Sequence, residues 1–253
     1  MLKFFKSKNL QSVKHGFFGR SGGLSTGIYS SLNLSEKTAD SAMNICANRA
    51  LVMDELEIPS QKIFFPNQQH TNKSVLINKQ TDLDNIKNMP ADAVITNMDG
   101  IGIGILTADC SPILAYESDS GFILAIHAGW KGALAGVCEN ALNSLKDIGV
   151  NIKKFSVAIG PTLSTKCYEV KIDFVEAFIK NDPYFENFFI KKNDNYFFDL
   201  TSFIESRFNL FGVYDIVNLG LCTYGNPELF FSNRRAYHKS ERDFGRMASI
   251  ISL

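Results

Sequence analysis

Cys110 and His127 stand inside the apolar stretch ILTADCSPILAYESDSGFILAIHAGWKG, residues 105–132. A thiolate sulfur and an imidazole nitrogen are soft donors that bind zinc or copper. A cysteine beside a histidine base is also a nucleophile. Taken singly, either residue reads as core, the cysteine as a small hydrophobe and the histidine as a hydrogen-bonded ring. Their relative geometry decides whether they form one site. The turn-rich SDSG between SPILAYE and GFILAIHA predicts a β-hairpin. With a four-residue turn at 118–121, Glu117 faces Phe122 and His127 faces Pro112. Cys110 lies two residues further along, on the face of Pro112. Diagonal neighbours across such a pair sit about 7–8 Å apart. Metal bonds of about 2.0 Å to nitrogen and about 2.3 Å to sulfur bridge that gap once the side chains lean together. A one-residue slip would part them.

Two donors do not make a catalytic metal site, and the chain has four histidines from which to draw a third. His70 falls in the polar loop of PNQQHTNKSVLIN, just before a strand, where a rigid scaffold can aim a side chain. His15 precedes a glycine-rich loop and His238 lies in the charged RRAYHKSERDFGR, so both are expected to be exposed. Spacing alone does not choose among them. Asp109 adjoins Cys110 and is a candidate for moving a proton or for a supporting hydrogen bond.

Strands and helices alternate along the chain. KSVLIN, ADAVIT and GIGILT read as strands, the last two separated by the Asp99-Gly100 turn signal. FSVAIGP and YDIVNLG read as later strands. Residues 41–56 predict a helix with Asp40 or Ser41 as N-cap. Leu134, Val137, Cys138, Ala141, Leu142 and Leu145 recur at three and four, an amphipathic helix stopping near Gly149. Residues 171–180 and 201–210 predict two more. The glycine- and serine-rich segment 19–35 is loop. No repeat or linker interrupts the chain, which reads as one domain over 1–253 with a mixed α/β, α+β architecture.

Composition bounds the function. The 253 residues suffice for a sizeable core, which should be Phe-rich, with 21 Phe against one Trp. Lys+Arg and Asp+Glu are both 26, without long charge runs, which argues against nucleic acid or an anionic membrane as partner. No apolar run is long enough to span a bilayer, and the amino-terminal MLKFFKSKNLQSVKHGFF lacks the apolar core of a secretory signal. Five cysteines, odd in number and without C-x-x-C, fit a reducing cytoplasm. The oligomeric state cannot be read.

The motifs QQHTNKSV, ADAVITNMDGIGIGILTADCSPIL, AIHAGWKGALAGV, AIGPTLSTKCYEV and LCTYGNPELFFSNRRAYHKSERDFGRMA occur in an order that resembles the YfiH family. This is the polyphenol oxidase, laccase-domain or purine nucleoside phosphorylase family. HGFFGRSGGLSTGIYSSLNLS resembles its opening motif. The chain departs in having Lys131 where HAGWRG is usual, no cysteine near Thr162 or at Gly225, and extra residues between Arg235 and Gly245.

The resemblance implies a layered α/β/β/α fold with mixed sheets, related to the cytotoxic necrotizing factor catalytic domain. It implies a zinc held by His70, Cys110 and His127, with copper the less favoured metal. It implies a phosphorylase of adenosine, inosine, guanosine and methylthioadenosine that also deaminates adenosine. The partners are then a purine nucleoside and phosphate. Phosphate needs cationic donors, and the candidates are Arg20, Arg234, Arg235 and Arg246, with Arg20 and Arg235 foremost. Asn33 is a candidate for binding the ribose or base. Whether Cys110 is only a ligand or also a nucleophile stays open. A rival reading is an amidase that removes L-serine from a cytoplasmic muropeptide precursor. A copper oxidase of phenols is a weaker rival, because the chain has four histidines and no His-x-His. A cytidine-type deaminase is excluded, since H-x-E with P-C-x-x-C is absent.

Overall fold

The computed structural model describes residues 1–58 and 63–253. The strands Ser111–Glu117 and Phe122–Ala128 pair antiparallel, with Glu117 opposite Phe122 and Pro112 opposite His127. This is the register that the turn length predicts. The hairpin lies at the centre of a six-stranded sheet, in the order Asp215–Asn218, Phe155–Ile159, Ser111–Glu117, Phe122–Ala128, Ala93–Thr96 and Ser74–Ile77. The outer pair at each edge is parallel and the inner pairs are antiparallel, so the sheet is mixed. A five-stranded sheet orders Phe4–Phe5, Lys14–Phe18, Met247–Ser252, Gly102–Thr107 and Ile63–Phe64.

The strand Phe122–Ala128 is buried at every position because both faces of its sheet are covered. Ile123 and Ala125 join Phe17, Ile103, Ile105 and Ile251 of the second sheet in one core. Phe122, Leu124, Ile126 and Ala128 join the opposite core, with Leu142 of the helix Val137–Lys146 and Phe203 of the helix Leu200–Asn209. A third cluster sets Val52 of the helix Ala42–Glu55 against Phe18 and Ile250. Helix, sheet, sheet and helices therefore stack in the expected α/β/β/α order. The Phe-rich core is also present: the ring of Phe178 lies 4.7 Å from that of Phe198 and 5.3 Å from that of Phe203, at steep angles that favour edge-to-face contact.

Two readings change. The segment expected to be one helix is two, Trp130–Leu134 and Val137–Lys146, broken at Gly136, whose φ of +88° is left-handed backbone that glycine adopts without steric cost. ADAVIT and GIGILT form the two strands read from them, and these lie in different sheets, so the Asp99-Gly100 turn leads from one layer to the other. His15, expected on the surface, is only 1% exposed. Its Nε2 accepts the Ser7 N–H at 2.8 Å and its Nδ1 lies 3.1 Å from the Val13 carbonyl. The strand Lys14–Phe18 is covered on both sides, which the short motif beside a loop does not reveal. His238 is exposed, as expected.

Candidate metal centre

His127 enters the site from the end of the strand Phe122–Ala128, on the parity of Ile123 and Ala125. Cys110 stands just before the strand Ser111–Glu117 begins. It is therefore aimed by the bend before the strand and not by the pleat. The preceding Asp109 has a φ of +89°, uncommon for a residue with a side chain. His70 arrives from the loop before Ser74–Ile77, also with left-handed backbone, φ +58°. The Nε2 of His70 lies 3.6 Å from the Cys110 sulfur, and the two imidazole rings are 4.8 Å apart at 75°.

Among the described residues these three form one group of donors, with one donor atom from each lying within 4.8 Å of the others. A tetrahedral ion with bonds of about 2.0–2.3 Å fits such a triangle. Gly129 makes room for it. A Cβ there would lie 2.6 Å from His70 Cδ2 and 3.0 Å from the Cys110 sulfur, so the glycine of HAGW is sterically required. The donor set fits a metal ion with an open fourth position, the arrangement of catalytic rather than structural sites.

Asp92 was not anticipated, and it ties the site together. It is fully buried. One carboxylate oxygen lies 2.7 Å from His127 Nδ1 and accepts the His70 N–H at 3.0 Å. The other accepts the Thr71 N–H at 2.6 Å and the Thr71 hydroxyl at 2.8 Å. The Asp92 carbonyl also accepts the His127 N–H at 2.7 Å. One residue thus fixes the loop that carries His70 and leaves His127 Nε2 to face the cluster, the carboxylate–histidine–metal pattern. Burial pushes the Asp92 carboxyl up, but His127 and Thr71 outweigh it and bring it down to about 2. Burial also opposes charge on the other two. The attraction between the Cys110 thiolate and the His127 imidazolium prevails, with Asp92 assisting, so the thiol falls to about 6 and the imidazole rises to about 9. An aspartate opening a buried strand directly opposite the strand of His127 was the available signal.

The centre opens into a pocket of about 820 Å³. Trp130, Tyr168 and Phe174 give it flat apolar walls, and Lys131, Lys171 and Arg234 bring positive charge. His238 lies at its edge, its Nδ1 3.0 Å from the Tyr224 hydroxyl.

The other sequence candidates sit differently. Asp109 lines the pocket, yet its carboxylate accepts from the Thr223 hydroxyl at 2.5 Å, the Ser232 hydroxyl at 2.9 Å and the Arg234 N–H at 2.6 Å. Those bonds make it a residue that positions the Cys110 turn. Arg20 and Arg235 are not in the pocket walls. Arg20 donates to the carbonyls of Ser30 at 2.8 Å and Pro227 at 3.0 Å and stacks on Phe231. Arg235 donates to the carbonyls of Thr223, Tyr224 and Phe230. Asn33 is fully buried and its amide is filled: it donates to Thr38 and Asp40 and accepts from the N–H groups of Ser35 and Arg246. The structure joins His70, Cys110 and His127, places Asp109 beside them, and sets Arg20, Asn33 and Arg235 outside the pocket lining with protein partners. Arg234, ranked below Arg20 and Arg235 on sequence, is the arginine at the pocket.

Among the described residues no helix is long and apolar enough to cross a membrane. A Rickettsia conorii protein named purine nucleoside phosphorylase is 35% identical over 184 residues, 72% of this chain and 74% of its own. A Shigella flexneri protein named purine nucleoside phosphorylase YfiH is 33% identical over 234 residues, 92% of this chain and 91% of its own. The crystal structure of a Neisseria meningitidis protein assigned to the DUF152 family model superposes with a TM-score of 0.84 at 27% identity, covering 100% of this chain and 98% of that one. The family model described as multi-copper polyphenol oxidoreductase laccase matches residues 14–253, and the chain belongs to that family, with YfiH among its relatives.

Proposed function

We propose that this chain is a zinc-dependent purine nucleoside phosphorylase, acting on adenosine, inosine, guanosine and methylthioadenosine, that also deaminates adenosine in the cytoplasm. The observation that carries the reading is the His70–Cys110–His127 cluster opening into a pocket with aromatic and cationic walls. The names of full-length relatives support the same reaction class. The pocket volume of about 820 Å³ lies within the range of about 300–1,000 Å³ usual for small-molecule sites. Zinc is favoured over copper because a multicopper oxidase needs many histidines, and four are present.

His70, Cys110 and His127 hold the metal, and when bound it supplies Lewis acidity and an activated water. Asp92 keeps the His127 ring oriented by holding Nδ1. Trp130, Tyr168 and Phe174 take the flat purine by stacking and exclude water from its faces. Lys131, Lys171 and Arg234 offer charge-assisted donors to phosphate. Asp109 holds the backbone N–H of Arg234 and so sets where that guanidinium starts.

Incubation of zinc-loaded protein with adenosine and phosphate tests the reading. Adenine and ribose 1-phosphate should appear, with inosine or hypoxanthine from deamination, and His127→Ala should lose both. Release of L-serine from the muropeptide precursor, without nucleoside turnover, would replace this reading with the amidase. Copper-dependent phenol oxidation alone would replace it with the oxidase.

A further inference from the structure

Two cysteines outside the metal cluster stand on adjoining segments beside the pocket, and nothing in the proposed reaction uses them. Cys167 and Cys222 are both free and partly buried. Cys167 ends the short turn Thr165–Cys167, and the next residue, Tyr168, is a pocket wall. Cys222 is bridged to Thr162, and the next residue, Thr223, donates its hydroxyl to the Asp109 carboxylate. The pair therefore joins two segments that shape the pocket from different parts of the chain.

The two sulfurs are not equivalent. The Cys222 sulfur accepts the Ser164 hydroxyl at 3.0 Å and the Gly225 N–H at 3.3 Å. Cys167 closes the turn that Ser164 opens, its N–H donating to the Ser164 carbonyl at 2.8 Å, so the turn whose first side chain touches the Cys222 sulfur also carries the Cys167 thiol. Burial opposes a charge on Cys222, but these donors outweigh burial and lower its pKa, while burial and the neighbouring sulfur raise that of Cys167. A sulfur that accepts two hydrogen bonds is set up as the thiolate, and the thiol carried on the turn that touches it is set up to attack it after oxidation. The remaining thiols lack this arrangement. Cys138 is buried in the apolar core, Cys46 is exposed, and Cys110 belongs to the metal cluster.

We propose that Cys222 and Cys167 form an oxidant-responsive dithiol site, in which a hydroperoxide oxidises Cys222 and Cys167 resolves the product to an intramolecular disulfide. The Cys222 thiolate attacks the terminal peroxide oxygen. An S–O bond forms, the O–O bond breaks, and the departing oxygen takes a proton to leave as an alcohol or water. Sulfur has lost two electrons and the peroxide has gained them. Cys167 then attacks the Cys222 sulfur, an S–S bond forms, and hydroxide leaves with the Cys167 proton as water. The disulfide ties the Tyr168 wall to the segment that holds Asp109. Reduction by a small thiol restores both cysteines.

The test is peptide mapping of the full, zinc-loaded chain after exposure to about one equivalent of hydrogen peroxide, the stoichiometry of one disulfide. Two of the five thiols should be lost, with a single cross-linked peptide pair joining Cys167 to Cys222 that dithiothreitol separates. In Cys167→Ser the same treatment should leave a sulfenic acid on Cys222, trapped by a carbon-acid nucleophile such as dimedone. Absence of the cross-link in wild type, or oxidation of exposed Cys46 as fast as Cys222, would overturn the proposal. Wild-type mapping needs no variant to fold, and its readout is independent of nucleoside turnover.

Discussion

Two polar regions of this molecule invite comparison. One is the His70–Cys110–His127 cluster with Asp92 behind it. The other is the knot of Arg20, Asn33, Arg235 and Arg246 that fastens the amino-terminal loop to the carboxy-terminal segment. The knot is buried or half-buried, and the cluster runs from buried Asp92 and His127 through half-buried Cys110 to exposed His70. In the knot, the protein itself takes up the hydrogen-bonding capacity: Asn33 makes all its bonds internally, and Arg235 holds three carbonyls. In the cluster, Asp92 engages the far side of His127 and leaves three donor atoms converging at the mouth of a pocket. A buried polar residue whose partners are all protein maintains the fold. One whose free atoms converge on open space is available for chemistry.

The sharpest way to break this comparison is to remove a donor. Cys110→Ala and His127→Ala should each reduce bound zinc from near one per chain to a small fraction, measured by elemental analysis, and take phosphorolysis to background. A Cys110→Ala protein that keeps full zinc but loses turnover would make Cys110 a nucleophile and not a ligand.

Asp92→Asn asks a finer question of the same region. The amide retains the shape but presents one carbonyl where the carboxylate offers two acceptor oxygens. His127 and Thr71 would compete for it, since Asp92 holds both. Metal affinity should fall about 10–100-fold, the usual effect of losing a carboxylate behind a metal-binding histidine. Competition with a fluorescent chelator measures it. An unchanged affinity would mean that the loop, and not Asp92, fixes the His70 geometry.

Much of this site was legible in the sequence because it depends on local rules. Turn length sets hairpin register, and the register places His127 opposite Pro112. The third member of the cluster was not legible from spacing, because His70 reaches the site through a long-range contact with Asp92. The placement of the phosphate candidates was not legible for a related reason. An arginine beside a glycine-rich loop looks available, and the carbonyls that occupy Arg20 come from Ser30 and from Pro227, far away in sequence. The break at Gly136 was missed because the apolar period continues across it. Local periodicity reports which face is buried. It does not report which polar atoms are already satisfied.

Arginine substitutions sharpen the comparison from the other side. Arg235→Ala leaves the Thr223, Tyr224 and Phe230 carbonyls without their donor. The cost should be about 2 kcal/mol, and the melting temperature should fall by about 4–8 °C, with the phosphate KM unchanged. Arg234→Ala should do the reverse, raising the phosphate KM with a smaller change in melting temperature, since Arg234 lines the pocket and its guanidinium donates to one carbonyl, that of Glu169, where Arg235 donates to three. If Arg235→Ala raised the phosphate KM at constant melting temperature, the knot would have to be counted as part of the site.

The smallest effect concerns His15, which like the knot is satisfied by protein partners and contrasts with His127. Both histidines are buried, but His127 is paired with a carboxylate and a thiolate, whereas His15 has only backbone partners. Burial holds its pKa below the ordinary 6.5, with Lys6 adding to the effect and backbone hydrogen bonds opposing it. Its Nε2 accepts the Ser7 N–H, so the ring must be neutral there, and protonation would remove that acceptor. The sign follows from proton binding. Above about pH 6.5 His15 is neutral in both folded and unfolded chains and costs nothing. As pH falls through the unfolded value, the unfolded chain takes up a proton that the folded chain refuses, and stability drops by at most about 1.4 kcal/mol per pH unit. The loss levels off below the folded value. Urea unfolding of wild type and His15→Gln at several pH values between about 5 and 8 isolates this contribution, because the other titrating groups are common to both chains. The stability difference between the two proteins should narrow as pH falls, since only wild type carries the penalty. A difference that stayed constant across that range would mean that His15 is protonated equally in both states, and the distinction between a satisfied histidine and a reactive one would then rest on His127 alone.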